Sequence, residues 1–363
     1  MLLQETLNEK LFWELAMQLL CEHNAVLSVN DEKILRDLNV TIIHKAKLSP
    51  IYIIEAEKIE IVKNTGIFKS IQESGSYRLA NEVAMTPLLS NKLLIKKGCV
   101  GWGGIKVAVL DSGIRPNNVN LTYSKDFTPY GFILNNHGTI VAKIISYYSP
   151  GCQILSMKIA HEGNDITGGA IIQALDDAIE QNVDIINMSL GGTKDCRSEN
   201  CKVCDYVNKV VDAGFTVVAA SGNSGTKTGY SIDCPGAAEK VITVGSVIND
   251  LQLAAASGKG VPGFNKPNLV APGQVSALIK QGKFNTLEIK EGTSFATPVV
   301  TGILASLFSV YEQRDKIITN MYNSCKNLGL NSYEQGFGFI NLEELMEVCE
   351  NDSTILRPDS QQE

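Results

Sequence analysis

Beyond residue 104 the chain settles into one repeated texture, which limits its fold more than any other feature. Short β-rich runs of the fully buried kind stand at residues 106–110, 153–159, 183–188, 215–220 and 241–247. Helical stretches at 139–147, 169–181 and 204–213 lie between several of them. Unbroken apolar runs of this length suit strands covered on both faces, and strands alternating with helices build βαβ units. The expected fold class is α/β, with a doubly wound, mostly parallel sheet.

The preceding residues read differently. Residues 1–80 combine a helical opening with β-like runs at 40–43 and 51–54, a charge-dense stretch at 55–63, and Gly66-Ile67-Phe68. They are expected to form a small α+β module. A connector at 81–104 ends in Gly101-Trp102-Gly103-Gly104, the main domain runs to residue 349, and 350–363 form a polar tail.

Composition excludes several classes of function. With 363 residues, 20% charged and 44% hydrophobic, the chain can bury a full core. A net charge of −7 argues against a nucleic-acid partner, because phosphate binding needs clustered Lys and Arg. Lys96-Lys97 is the nearest approach to a cluster and reads as a solvated surface pair. Glu5, Glu9 and Glu14 interrupt the N-terminal apolar residues, so these do not read as a secretion signal. No segment approaches the roughly 20 apolar residues of a membrane span. The expected location is the cytosol, with no membrane partner. The nine cysteines then read as reduced thiols or metal ligands.

Three segments place a reactive side chain at the end of an element. Asp111 closes the run Val107-Ala108-Val109-Leu110, with Gly113 permitting a sharp turn. His137 opens an apolar helix in Asn136-His137-Gly138-Thr139, and Ser294 opens another in Gly292-Thr293-Ser294-Phe295-Ala296-Thr297-Pro298. Pro298 is expected in the first turn, where no helical N–H bond is lost. A hydroxyl becomes a nucleophile at neutral pH when a positioned base takes its proton and a buried carboxylate holds that base. His137 alone among the four histidines stands at the start of a core helix. Singly, an Asp after a strand or a Ser at a helix start reads as a cap.

Together these segments resemble the subtilisin-like serine protease (subtilase) family, whose chain order is Asp, His, Ser. The resemblance covers roughly residues 85–345 and implies a serine endopeptidase with Asp111, His137 and Ser294 as its triad. It implies that Asn223, in Ala219-Ala220-Ser221-Gly222-Asn223, donates its side-chain amide to the oxyanion. Ser189, Leu190 and Gly191, in Asn187-Met188-Ser189-Leu190-Gly191-Gly192, resemble the edge that pairs with an extended peptide, with Ser221 and Gly222 opposite.

Departures from the family carry their own expectations. The interval Ser149-Pro150-Gly151-Cys152 is too short for six or more oxygen ligands, so the usual calcium loop is expected to be missing. Ile140 and Val299 stand where the family often has histidine. Cys196, Cys201, Cys204 and Cys234 make the ligand complement of a closed structural zinc site. Buried apolar cysteines, disulfides and a redox switch are competing readings. By the resemblance such a metal would clamp both walls of the S1 pocket. Cys99 and Cys325 read as core residues.

Alignment with the family also sets Asp233 at the base of S1, where a carboxylate favours Arg or Lys at P1; the competing reading is a loop Asp capping its own turn. Residues 24–80 resemble the family's pro-region, an intramolecular inhibitor and folding aid, with 66–71 as its last strand and autocleavage expected after Arg78. The implied function is processing of a peptide or protein precursor. The alternatives are general intracellular turnover, or a silent or partner-activated fold that binds peptides.

Overall fold

Apolar runs long enough to be covered on both faces become the strands of one sheet. The computed structural model describes residues 18–22, 29–38, 41–45, 51–55, 62–68, 70–73, 89–102, 104–116, 119–128, 136–160, 166–192, 201–227, 229–264, 266–281 and 284–352. The chain divides into two units, Met1–Leu79 and Ala80–Glu363.

In the first unit, strands β1 (Gln18–Glu22), β2 (Thr41–Lys45), β3 (Ile51–Glu55) and β4 (Ser70–Glu73) form an antiparallel sheet in the order β2-β3-β1-β4. Helix α1 (Val29–Asp37) carries Asp31 and Glu32 in its first turn, where acidic groups complement the helix dipole. Two expectations are corrected here. Gln18–Glu22 ends the stretch read as helical, yet it is a central strand, because pairing on both sides overrides helical spacing. The last strand begins at Ser70, with Gly66–Phe68 irregular before it.

The second unit holds β5 (Lys106–Asp111), β6 (Leu121–Asp126), β7 (Gln153–Lys158), β8 (Ile185–Met188), β9 (Thr216–Ala220), β10 (Ile242–Ile248), β11 (Gln252–Leu253) and β12 (Leu269–Pro272). Their order is β11-β10-β9-β8-β5-β7-β6, with β12 beside β10, and every pairing except β10–β11 is parallel. Strand β5 alternates between two cores: Val107 and Val109 join one, Ala108 and Leu110 the other. The connector contains a short helix, α2 (Lys92–Lys96). Helix α3 (His137–Tyr148) belongs to the first core, while α4 (Gly168–Glu180) and α5 (Lys202–Asp212) belong to the second.

After β12 come a hairpin, β13 (Gln274–Gln281) and β14 (Phe284–Glu291), and helix α6 (Thr293–Phe308), buried along nearly its whole length. Pro298 is the sixth residue of α6, so the first-turn reading is corrected: its missing N–H costs Ser294 the donor an unbroken helix would give its carbonyl. Helices α7 (Arg314–Asn323), α8 (Ser332–Gln335) and α9 (Leu342–Asn351) complete the unit. The tail starts later than residue 350, since Glu350 lies in α9 and pairs with Lys97 at 2.7 Å. Among the described residues no helix is long and apolar enough to cross a membrane.

Candidate active site

The strand order reverses at β5: the chain passes to β6 and β7 on one side, then crosses to β8 on the other. The carboxyl end of a strand at such a switch point opens into a crevice. Asp111 occupies that end and is 4% exposed. Its Oδ1 accepts the Ser112 N–H at 2.7 Å, and its Oδ1 and Oδ2 lie 2.8 and 3.0 Å from His137 Nδ1.

His137 is the first residue of α3, and Gly138 follows it for a steric reason. A Cβ there would come within 2.6 Å of the Gly113 carbonyl and 3.0 Å of Asp111 Oδ1, so only glycine lets the helix start reach the carboxylate. The Gly138 N–H donates to Ser112 Oγ at 3.1 Å, tying helix to strand end. A carboxylate only accepts, so Nδ1 carries the proton and Nε2 is left as the base. Burial pulls the imidazole's pKa down, but the charge and hydrogen bond of Asp111 outweigh it, leaving the pKa above the ordinary histidine value.

Ser294 is the second residue of α6 and is half-buried. The neighbouring Phe295 ring lies 5.5 Å from the His137 ring, so the first turn of α6 rests against the imidazole. Helix α6 is further pinned by Thr301 Oγ1, which donates to Asn187 Oδ1 at 2.8 Å. Asn223, exposed after β9, accepts at Oδ1 from the Thr293 N–H (3.0 Å) and hydroxyl (3.2 Å). Those bonds fix the orientation of the side-chain amide and leave its NH₂ as the free donor end.

Leu190, Gly191, Ala220, Gly222, Asn223, Ser224, Asp233, Thr293 and Ser294 line a pocket of about 160 Å³. Among the described residues, Leu190 and Gly191 take no backbone hydrogen bond, as suits an edge open to an extended peptide. Ser189 is buried, its hydroxyl accepting from Asn187 Nδ2 at 2.9 Å. Ser221 is fully buried, its N–H donating to Val244 O and its carbonyl accepting from Asp233 N, both at 2.9 Å. Its backbone bonds brace the wall beside Gly222.

Asp233 reaches between the two walls. A Cβ on Gly222 would meet its Oδ2 at 2.3 Å, and one on Gly191 would meet it at 2.8 Å, so both walls need glycine to admit the carboxylate. Burial raises its pKa, opposed by the Asn223 backbone N–H and by Lys227. Thr293 and the Ser112 hydroxyl carried no sequence signal, because each meets a partner distant in the chain, Asn223 and Gly138 respectively. The Sγ atoms of Cys201 and Cys204 each lie 3.6 Å from that of Cys234; Cys196 and Arg78 fall outside the described residues.

The profile described as the subtilase family matches residues 103–338. The chain is 31% identical over 265 residues to the minor extracellular protease Epr of Bacillus subtilis, spanning 67% of this chain and 38% of Epr. It is 28% identical to subtilisin DY of Bacillus licheniformis over 71% of this chain and 96% of the relative. Its fold is similar to that of the prenylagaramide maturation protease PagA, with a TM-score of 0.58 at 23% identity over 71% of this chain and 97% of the other.

Proposed function

The chain belongs to the subtilase family of serine endopeptidases, and on that premise we propose that it hydrolyses peptide bonds with Ser294 as nucleophile. The observation that carries this reading is the Asp111–His137 pair, 2.8 and 3.0 Å apart at the switch point of the sheet, with the first turn of α6 against the imidazole.

In this mechanism Nε2 of His137 takes the Ser294 proton as Oγ attacks the scissile carbonyl, and Asp111 stabilises the imidazolium that forms. The NH₂ of Asn223 and the N–H of Ser294 receive the oxyanion. His137 then protonates the leaving amine, and water repeats the sequence on the acyl-enzyme. The substrate lies as an added strand along Leu190 and Gly191, with its P1 side chain between the two walls. There the Asp233 carboxylate removes space for a large apolar group and pairs with Arg or Lys.

A pocket with a charged floor is selective, which favours processing of a peptide or protein precursor over general turnover. PagA, of similar fold, is a maturation protease. The unit Met1–Leu79 acts in this reading as the intramolecular inhibitor, released by cleavage after Arg78. The intact mass of the purified chain beside Ser294→Ala tests the proposal. The wild type should shorten near residue 78 while the variant keeps its full length. Two full-length chains would refute self-processing and favour a silent or partner-activated peptide binder.

A further inference from the structure

Three sulfurs converge beside the pocket without belonging to the reaction. Cys201 caps the N-terminus of α5, Cys204 is buried in its first turn, and Cys234 comes from the loop after Asp233. Cys234 Sγ lies 3.6 Å from each of the other two, and all three sulfurs fall within 4.8 Å of one another. A disulfide would bring two of them to about 2.05 Å. Thiolates about 2.3 Å from one tetrahedral ion stand about 3.8 Å apart, which is close to the spacing here. Cys201 is the N-cap of this 11-residue helix and Cys204 its third residue, a spacing that sets both on one side of the helix start.

We propose that Cys201, Cys204 and Cys234 hold a single zinc ion that fixes the floor of the substrate pocket. Each thiol gives its proton to solvent as the ion binds, and a fourth position remains for another donor. The backbone explains how the ion reaches the pocket. The Gly192 N–H donates to the Cys234 carbonyl at 2.9 Å, and the Asp233 N–H donates to the Ser221 carbonyl at 2.9 Å. Two adjacent residues thus hold the ends of both walls, and Cys234 is one of them. An ion joining Cys234 to α5 fixes that pair of bonds, and with it the Asp233 carboxylate.

The binding claim is independent of catalysis; its consequence for substrate choice rests on the reading of Asp233. The test therefore uses full-length Ser294→Ala, purified without chelator, and measures metal directly. About one zinc per chain is expected, and replacement by cobalt(II) should give thiolate charge-transfer absorption and tetrahedral d–d bands. Cys204→Ser should retain less than about a tenth of the metal. Should that variant fail to fold, chelation and cobalt reloading of the parent chain give the same answer. Metal-free protein without a cobalt spectrum would overturn the proposal, as would a disulfide from Cys234 to Cys201 or Cys204 in the unreduced chain. In the active chain, stripping the ion should lower the Arg-over-Leu preference at P1 about tenfold and leave Ser294 acylation by a small active ester unchanged.

Discussion

The two ends of the cleft are built on different principles. At the reaction end, each polar group stands at the terminus of a buried element: Asp111 closes β5, His137 opens α3 and Ser294 lies in the first turn of α6. At the pocket end, the deciding group is carried by a loop, and Asp233 is positioned by the glycines it touches, by the Asn223 backbone N–H and by its own backbone bonds to Ser221 and Ala237. The first arrangement is rigid because the sheet and two helices would have to move together. The second can be altered one side chain at a time, so substitutions at the two ends should fail in different ways.

The largest effect is expected at the reaction end. Ser294→Ala should lower kcat about 10⁶-fold while leaving thermal stability and peptide affinity near the parent values. A residual rate within a hundredfold of the parent would remove Ser294 from the nucleophile role. Asn223→Ala comes next, with kcat reduced about 10²–10³-fold and KM little changed, because its NH₂ is used only as the oxyanion forms. An equal loss in KM would make Asn223 a substrate-binding group.

At the pocket end the sign of the effect depends on the substrate. Asp233→Gly removes a carboxylate pressed against Gly191 and Gly222, which both deletes the charge and opens space. The ratio of kcat/KM for Arg against Phe at P1 should fall about 10²-fold, with Phe cleavage rising in absolute terms. Unchanged preference would mean the carboxylate serves only its own loop, and that contacts beyond P1 decide the substrate.

The same contrast explains what could be read before the structure. Asp111 stood out at the end of a buried run, and His137 and Ser294 at the start of apolar helices, but their triad roles came only from the resemblance of the three segments together to the family. The strand read at residues 241–247 is seen at Ile242–Ile248, since two-sided burial leaves little freedom in its composition. The hairpin Gln274–Glu291 went unread: polar and apolar residues alternate over Thr286–Lys290 of its second strand, but Ala277-Leu278-Ile279 break the pattern in the first. Helical spacing leads into Gln18–Glu22, yet antiparallel partners on both sides make it a strand. The burial of Ser221, the bonds from Thr293 to Asn223 and the pressing of Asp233 on two glycines depend on contacts far apart in sequence.

The smallest effect, and the one that separates the two ends within a single protein, is the response to acid. Asp111 holds the His137 imidazolium, so the histidine's pKa lies above its ordinary value, and the base is available only above that raised pKa. Activity should therefore climb with pH through it, losing about tenfold per pH unit below it. The stability contributed by the charged pair has the opposite course. It is fully present below the unfolded histidine value of about 6.5 and is lost as pH rises through the folded value. Asp233 is also raised, by burial, and attracts a P1 cation only when ionised, so discrimination likewise grows as pH rises through its pKa. A substrate with neutral P1 should show the His137 limb alone, whereas an Arg substrate should show a second, acid-side loss. Measuring kcat/KM for both across the acid range, in the parent chain and in Asp233→Gly, resolves the two titrations. In the variant the two profiles should become parallel. If they remain different, the second titrating group is not Asp233, and the charge that selects P1 must come from outside the slot between Gly191 and Gly222.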